Sequence, residues 1–502
     1  MKPHLMYRDR DFDSEVALRN RHEDLIQDLE LNTLFTAMAK KDQFLFDISK
    51  QVILTSLDNI DSIKYRQDIL RDCLENAEIV REIYQLTLIA KQNKHRRWLG
   101  IYARNPRGIL SSAVQMMLMF SELLKELKTI ADKYAKNFSS EGFVTFFTMI
   151  GNELDQAYLT EIDDHLKALQ FKNGMLASVN LGKGNEGDAY TLRLPKKGST
   201  SWIRAIVGRL SNTSPEHSFV IPSNDESGHR TLSELIDRSV RDAAEALAKS
   251  ANHVDNFFKN LQNELAFYLG CLNLADKLKD LNSPISFPVV HPAHHKVHDF
   301  QELYDVCLAL TINEEVVSNT VNASGKEMII ITGANQGGKS TFLRSVGLAQ
   351  LMMEAGMYVS AEHFEANMSD GLFTHYKREE DTTMKSGKLD EELVRMSKIV
   401  DQLSSHALVL FNESFSSTNE SEGSEIARQI TQALIDSHIK VAFVTHMYTF
   451  AHAYYEESRP DFVFLRAERE PDGSRTFKLT EGAPLETSFG RDIFNQVFYE
   501  EN

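Results

Sequence analysis

The sequence predicts a C-terminal α/β domain, a mixed sheet flanked by helices, after a mainly α-helical part that carries a small β-rich insertion. Short apolar runs at 328–332, 406–411 and 440–445 alternate with helical spacing, as buried parallel strands do. Apolar residues spaced three and four apart dominate from about residue 15 to residue 173, which is typical of amphipathic helices. After residue 173, glycine-rich turns separate short β-branched runs.

The chain has 502 residues, which is too long for one ordinary core and predicts two to four structural units. We predict a helical core domain over 1–173, a clamp-like β-rich insertion over 174–228, a lever-helix region over 229–283 and the α/β domain over 284–502. Helical spacing persists from Thr231 to Leu281, which favours one long helix or a closely coupled pair. Three prolines between 284 and 292 then interrupt it and mark the last boundary.

Composition excludes several classes of protein. The sequence has no apolar run near the roughly 20 residues that a membrane span needs, and its N-terminus does not resemble a secretory signal, so we expect a cytoplasmic protein without a membrane segment. Its three cysteines, Cys73, Cys271 and Cys307, are widely spaced, which fits neither a disulfide framework nor a zinc site. We expect all three to be buried thiols.

The formal net charge of -17 argues against a protein that coats nucleic acid with its whole surface. A local basic patch is still present between Lys91 and Arg107, where six Lys or Arg and no acid surround Trp98 and Tyr102. Such a patch could grip a nucleic-acid backbone and stack on bases. A solvated helix end beside a packed tryptophan explains the same residues, and we favour that alternative.

A phosphate-binding loop is the firmest motif of the sequence. The strand predicted over Met328–Thr332 runs straight into the sequence GANQGGKST, and helical spacing follows. In such a loop, backbone N–H groups and the helix N-terminus face the phosphates. Lys339 would contact the β- and γ-phosphates, and the Ser340 hydroxyl would ligate Mg²⁺. We therefore predict that ATP is bound, with Mg²⁺, by Gly333, Ala334, Asn335, Gln336, Gly337, Gly338, Lys339, Ser340 and Thr341.

The two other predicted strands end in polar residues. The strand over 406–411 ends at Asn412 and Glu413, where P-loop ATPases place Asp-Glu. Asn412 can hold Mg²⁺ only through a bound water and adds no charge, which predicts weaker metal retention and slow hydrolysis. Glu413 is the candidate for activating water, the alternative being a surface acid on a loop. The strand over 440–445 ends before His446, a candidate sensor of the γ-phosphate.

These elements, in this order, resemble the MutS family, the ABC-like ATPases of DNA mismatch repair. The sequence TGANQGGKST at Thr332–Thr341 matches the family's form of the phosphate loop, and NESFSSTNESEG at 412–423 has the length of its second motif. His291-Pro292 and Val317-Ser318-Asn319 resemble landmarks near its adenine pocket, and Ser488 and Gly490 resemble its closing Ser-x-Gly. The similarity is strong over 291–490 and weaker upstream, and we find no counterpart of the mismatch-reading domain. The chain thus resembles a truncated branch of the family.

The resemblance implies an ABC-type ATPase that works as a homodimer and binds DNA. A partner subunit would complete each ATP site, and the candidates for that contact are Ser386, Thr418 and Glu422. The family's Ser-Thr-Phe before the second strand is replaced here by KSGKLD at 385–390, and its Gly-Arg-Gly by Phe415-Ser416-Ser417. Both changes alter the hydrolytic face.

Two functions follow from the resemblance. The first is a slowly hydrolysing dimeric switch that binds branched or otherwise structured DNA, in repair or recombination, through backbone contacts. The basic residues Lys196, Lys197, Arg204 and Arg209 of the insertion would contact DNA or form a solvated hairpin. The second is an ATP-dependent module that switches a protein partner and does not bind DNA, which the acidic balance favours modestly.

Overall fold

The computed structural model describes residues 1–16, 18, 22–98, 105–172, 174–183, 187–193, 220–378, 387–470 and 474–485. The chain divides into two compact units. Unit 1 comprises Met1–Pro3, Glu78–Ser139 and Phe143–Gln262, and unit 2 comprises His4–Ala77, Ser140–Gly142 and Asn263–Asn502. The four-part division expected from the sequence remains a prediction.

The helices and strands are numbered along the chain. Within the described residues the helices are α1 (His22–Asp28), α2 (Leu31–Ala39), α3 (Gln43–Leu54), α4 (Ile60–Glu75), α5 (Ala77–Trp98), α6 (Pro106–Tyr134), α7 (Glu141–Glu153), α8 (Gln156–Ala168), α9 (Glu226–Asp280), α10 (Val306–Ile312), α11 (Lys339–Glu354), α12 (Lys388–Val400), α13 (Glu420–Asp436) and α14 (Tyr448–Glu456). The strands are β1 (Leu176–Leu181), β2 (Gly187–Arg193), β3 (Val289–His291), β4 (His298–Leu303), β5 (Asn319–Asn322), β6 (Met328–Gly333), β7 (His363–Asn367), β8 (Leu372–Tyr376), β9 (Leu408–Asn412), β10 (Lys440–Val444), β11 (Phe462–Arg469) and β12 (Arg475–Glu481).

Unit 1 is built mainly from amphipathic helices, of which α6 begins with a side-chain cap. The side chain of Asn105 accepts a hydrogen bond from the amide of Gly108, and Pro106 occupies the first turn of α6, where its missing N–H costs nothing. The apolar face of α6 packs against α9, with the Phe120 ring stacked on Phe258 at 5.8 Å. The apolar residues whose spacing predicted these helices therefore pack together as the core between them.

The region after residue 225 is one helix, α9, of 55 residues, which settles the choice between one long helix and a coupled pair. Before it, β1 and β2 form an antiparallel hairpin in unit 1, within the predicted β-rich insertion. The four basic residues named for that insertion lie outside the described residues, as do residues 99–104 of the basic patch. Their contact with DNA stays a prediction.

Unit 2 holds a mixed six-stranded sheet in the order β12-β11-β6-β10-β9-β8. Five strands are parallel and β12 pairs antiparallel with β11, which confirms the predicted mixed sheet. The three predicted strands form its centre as β6, β9 and β10. Because β6 and most of β9 and β10 are buried, they are apolar without alternation. A second sheet, β3-β7-β4-β5, was not predicted from the sequence.

The N-terminal segment from His4 to Ala77 belongs to unit 2, with the α/β part of the chain. The carboxylate of Glu264, on α9, accepts hydrogen bonds from the backbone amides of Leu5 at 2.5 Å and Phe12 at 3.4 Å. The Tyr268 hydroxyl donates to the carbonyl of Leu5 at 2.5 Å. Burial raises the pKa of Glu264 to about 7. Backbone groups without regular structure are thus satisfied by side chains of α9.

Two further expectations concern the chain as a whole. All three cysteines are free and buried, as predicted, and burial raises the pKa of each thiol. In the part of the chain that the structure describes, no helix combines the length and the apolarity that crossing a bilayer requires.

His298 on β4 makes a pH-dependent contribution to stability that can be tested. The ring is buried between Phe300 and Phe364, and within the described part of the chain neither ring nitrogen has a hydrogen-bond partner. Burial, and secondarily the neighbouring Lys440, lowers its pKa well below the usual value. The unfolded chain therefore takes up a proton near pH 6.5 that the folded chain does not.

We expect His298→Phe to remove this loss of stability, which amounts to about 1.4 kcal/mol per pH unit below pH 6.5. The measurement is the melting temperature of both proteins between pH 5 and pH 8. The difference in favour of the variant should grow as the pH falls. A constant difference, or the same trend for the exposed His253→Phe control, would contradict the assignment.

Candidate functional site

The loop between β6 and α11 is shaped by glycines. Gly333 and Gly338 have φ of 111° and 86°, in the left-handed region that side chains rarely adopt. A Cβ at Gly333 would lie 2.8 Å from the amide nitrogen of Ala467, and one at Gly337 would lie 2.7 Å from the Ala467 Cβ. The loop can therefore turn against β11 only without side chains at these positions.

Lys339 begins α11 and its side chain lies across the loop. Its ammonium donates to the carbonyls of Gly333 at 3.0 Å and Ala334 at 2.9 Å, and only 5% of the residue is exposed. Burial lowers the pKa of Lys339, and the carboxylate of Glu413 opposes that shift. The first turn of α11 begins after Gly338, which has no side chain to cap it, so its N–H groups are left for a ligand.

The carboxyl ends of β9 and β10 bring the other predicted residues to the same place. The hydroxyl of Ser340 donates to the amide oxygen of Asn412 at 2.9 Å. The Nδ1 atom of His446 lies 3.7 Å from a carboxylate oxygen of Glu413. His446 lowers the pKa of Glu413 while burial opposes it, so the carboxylate is ionised at neutral pH. Residues distant in sequence thus converge on one edge of the sheet.

A cavity of about 510 Å³ opens over the loop. Glu413 and most of the phosphate-loop residues line one side of it. The other side is mainly apolar and is lined by Leu308, Ile312, Val316, Val317 and Phe477. An apolar slot beside N–H groups and an ammonium matches a nucleotide, with the base in the slot and the phosphates at the loop. Gly337, Gly338 and Lys339 therefore form a cradle that fits a polyphosphate.

The apolar side was largely missed from the sequence. Val317 and Asn319 line the cavity near the landmark that resembled an adenine pocket, but Leu308, Ile312 and Phe477 were not identified. The available signal was the run DVCLALTI at 305–312, in which Asp305 caps a short helix by accepting the amide of Leu308 at 3.0 Å.

A buried ion pair holds this short helix, α10, against the phosphate-loop helix. Asp305 is fully buried and accepts a hydrogen bond from Nε of Arg344, on α11, at 2.5 Å. The guanidinium of Arg344 also pairs with Glu30, just before α2. Helix α10, on the apolar side of the cavity, is therefore fixed to α11, which begins at the phosphate loop, and both are fixed to the segment before α2.

The loop after β9 is held by Glu392 on α12. Its carboxylate accepts the amide of Phe415 at 2.5 Å and the hydroxyl of Ser417 at 2.6 Å. The hydroxyl of Thr418 donates to the carboxylate of Glu422, in the first turn of α13. These two trans-site candidates thus contact each other, and their role stays a prediction. Ser386 lies outside the described residues.

The candidate ligands for Mg²⁺ named from the sequence, Ser340 and Asn412, are adjacent in the structure. The described residues contain no group of three or more His, Cys, Asp or Glu that could hold a metal ion. The Ser340 hydroxyl and the Asn412 amide oxygen form a neutral pair of oxygen donors. Mg²⁺ is commonly bound through one or two protein ligands and the phosphates of a nucleotide, and this pair fits that use.

Two family models match the chain. The MutS2 N-terminal domain matches residues 58–281, and MutS domain V matches residues 329–498. The second match contains the phosphate loop, Asn412, Glu413 and His446, and the first contains α9. Together they cover most of the chain.

Similar proteins carry the same family name. DNA mismatch repair protein MutS of Streptococcus mutans is 24% identical over 481 residues, 85% of this chain and 54% of the relative. The MutS of Lactococcus lactis subsp. lactis is 24% identical over 360 residues, 68% and 42%. Human MutS protein homolog 4 is 26% identical over 188 residues, 36% and 20%. The chain spans about half or less of the length of these relatives. With both domain models and these relatives in agreement, the chain belongs to the MutS family.

Proposed function

We propose that this protein binds ATP with Mg²⁺ in the cavity above the phosphate loop and hydrolyses it slowly, as an ABC-type P-loop ATPase. The observation that carries the proposal is the convergence of Lys339, Ser340 and Glu413 beside a cavity with an apolar slot. A sheet edge with a buried cation, N–H groups and an ionised carboxylate has what phosphoryl transfer to water requires. Membership of the MutS family supports the same activity.

Each residue of the site has a chemical role in this proposal. On binding of ATP, the ammonium of Lys339 leaves the carbonyls of the loop and donates to the β- and γ-phosphates. The first turn of α11 adds N–H donors to the same phosphates. When bound, Mg²⁺ supplies positive charge that neutralises the phosphates. Ser340 would ligate that ion directly and Asn412 would hold it through a bound water; the two side chains lie within hydrogen-bond distance of each other.

Glu413 is the proposed base for the attacking water. Its carboxylate is ionised because the pKa is lowered, chiefly by His446, and it faces the cavity that Lys339 lines. His446 contacts this carboxylate at 3.7 Å and is the proposed sensor of the γ-phosphate. Because Asn412 carries no charge, the ion is retained less strongly than by an aspartate, which supports slow turnover.

We further propose that the protein acts as a homodimer that binds DNA by structure, in repair or recombination. The family assignment supports both parts, since the names of the relatives refer to mismatch repair. The net charge of -17 instead favours the second candidate, an ATP-dependent module for a protein partner. A test must therefore separate binding to DNA from binding of nucleotide.

Fluorescence anisotropy of labelled linear, mismatched, branched and single-stranded DNA, with and without ATP, provides that test. We expect branched DNA to bind most tightly, with an affinity that changes on addition of ATP. Lys339→Ala should abolish the response to ATP and leave nucleotide-free DNA binding intact. Absence of binding to every DNA at low salt, where phosphate contacts are strongest, would contradict the DNA-binding function and favour the protein-partner module.

A further inference from the structure

The hydrolytic edge of the sheet has an unusual balance of charge. Position 412, beside the Ser340 hydroxyl, is an amide and contributes no negative charge. At the same edge, a lysine, Lys377, follows the end of β8 immediately. Compared with a site that has an Asp-Glu pair and the phosphate-loop lysine, the surroundings of Glu413 therefore lack one carboxylate and contain a second lysine, Lys377.

The backbone fixes where Lys377 begins. Strand β8 runs parallel to β9 with Tyr376 opposite Asn412, and the amide of Lys377 donates to the carbonyl of Asn412 at 2.9 Å. The backbone of Lys377 is thus hydrogen-bonded to Asn412, the residue that precedes Glu413. Parallel strands end at the same edge, so the side chain starts on the side of the sheet where the phosphate loop lies.

The ammonium of Lys377 is also placed close to Glu413. It donates to the hydroxyl of Ser416 at 3.0 Å, and that hydroxyl donates to the backbone carbonyl of Glu413 at 2.7 Å. Both Lys339 and Lys377 contribute to lowering the pKa of Glu413, after His446. Lys377 is exposed, whereas Lys339 is buried, so the long side chain of Lys377 can change partner without breaking a buried contact.

We propose that Lys377 is a further phosphate-binding residue, which acts with Lys339 on the terminal phosphate of a nucleoside triphosphate. Ser340 and Asn412 are neutral and hold Mg²⁺ only weakly. The two ammonium groups therefore supply positive charge to the phosphates in place of a tightly bound metal ion. Binding of the triphosphate then depends only weakly on Mg²⁺. The inference rests on the proposed ATP-binding function and names a residue and a cation dependence beyond it.

A different role for Lys377 is to fix the loop after β9 through Ser416. That role predicts the same loss of affinity with and without Mg²⁺, because the loop shape is needed in both cases. A phosphate-binding role predicts a loss that is largest without Mg²⁺, where the triphosphate carries its full charge. The cation dependence of binding therefore separates the two roles.

The experiment is a titration of the full chain with a fluorescent N-methylanthraniloyl derivative of ATP, in Mg²⁺ and in EDTA. We expect the Kd of the unmodified chain to rise less than about tenfold on removal of Mg²⁺, a change of about 1.4 kcal/mol. Lys377→Gln should bind normally in Mg²⁺ and about tenfold or more weakly in EDTA, while Lys377→Arg should retain most of the affinity. Asn412→Asp should tighten binding in Mg²⁺ and weaken it in EDTA.

Lys398→Gln, which removes another exposed lysine of unit 2, is the matched control and should change neither value. Equal loss for Lys377→Gln in both conditions, or no loss in EDTA, would overturn the role of Lys377. Binding of the unmodified chain in Mg²⁺ but not in EDTA would also overturn the role of Lys377. Absence of binding in Mg²⁺ itself would overturn the proposed ATP-binding function, and the inference with it.

Discussion

Replacing Glu413 by Gln is expected to lower the rate of ATP hydrolysis by about 10²- to 10⁴-fold while ATP stays bound, the usual contribution of a general base. The amide keeps the size of the side chain and can still contact His446, which lies 3.7 Å away. It cannot accept the proton of the attacking water. Single-turnover release of phosphate measures the loss, and retention of nucleotide on the protein shows that binding persists.

Glu425→Gln serves as the control for this experiment. Glu425 is an exposed acid of α13 in the same unit, paired with Arg428 on its own helix. It should hydrolyse ATP at the unmodified rate. A single-turnover rate of Glu413→Gln equal to that of the unmodified chain would show that Glu413 does not activate water.

Replacing Asp305 by Ala is expected to lower the free energy of unfolding of unit 2 by about 3–5 kcal/mol, as for other buried ion pairs that lose one partner. Asp305 is fully buried, and its removal leaves the guanidinium of Arg344, 14% exposed, with Glu30 alone. The amide of Leu308 also loses its cap. Because Asp305 lines the cavity, nucleotide binding should weaken as well.

Denaturation in urea, with and without ATP, measures both effects. Asp276→Ala removes one partner of an exposed pair with Lys40 and should cost less than about 1 kcal/mol. Adding Arg344→Met to Asp305→Ala should restore part of the lost stability, because no buried charge is then left unpaired. If the double variant is as unstable as the sum of the two single variants, the pair does not account for the loss.

The parts of the site that could be predicted are those encoded locally. The loop from Gly333 to Thr341 is one contiguous motif, and its glycines are needed for the turn beside Ala467. Asn412 and His446 come from other strands, but parallel strands end at a common edge, so each could be placed from the end of its own strand. The geometry at Ser340 and Glu413 follows from that rule.

The parts that could not be predicted depend on contacts between distant segments. Arg344 meets Asp305 across 39 residues and Glu30 across 314, and no local pattern indicates either contact. The second sheet was missed because β3 and β5 have only three and four residues, too few for an alternation to be read. The apolar side of the cavity was missed for a related reason: its residues come from separate segments, Leu308 and Ile312 from α10 and Phe477 from β12.

The proposed role of Glu413 implies a conflict between stability and activity at its backbone. Glu413 and Phe415 have φ of 54° and 61°, in a region that costs a residue with a side chain about 1–2 kcal/mol relative to glycine. Selection for stability alone would thus favour glycine at position 413, whereas the proposed role in turnover requires the carboxylate. If Glu413 acts as proposed, substitutions at this position that raise the melting temperature will therefore lower ATP turnover, and a screen for both properties is needed to retain the site.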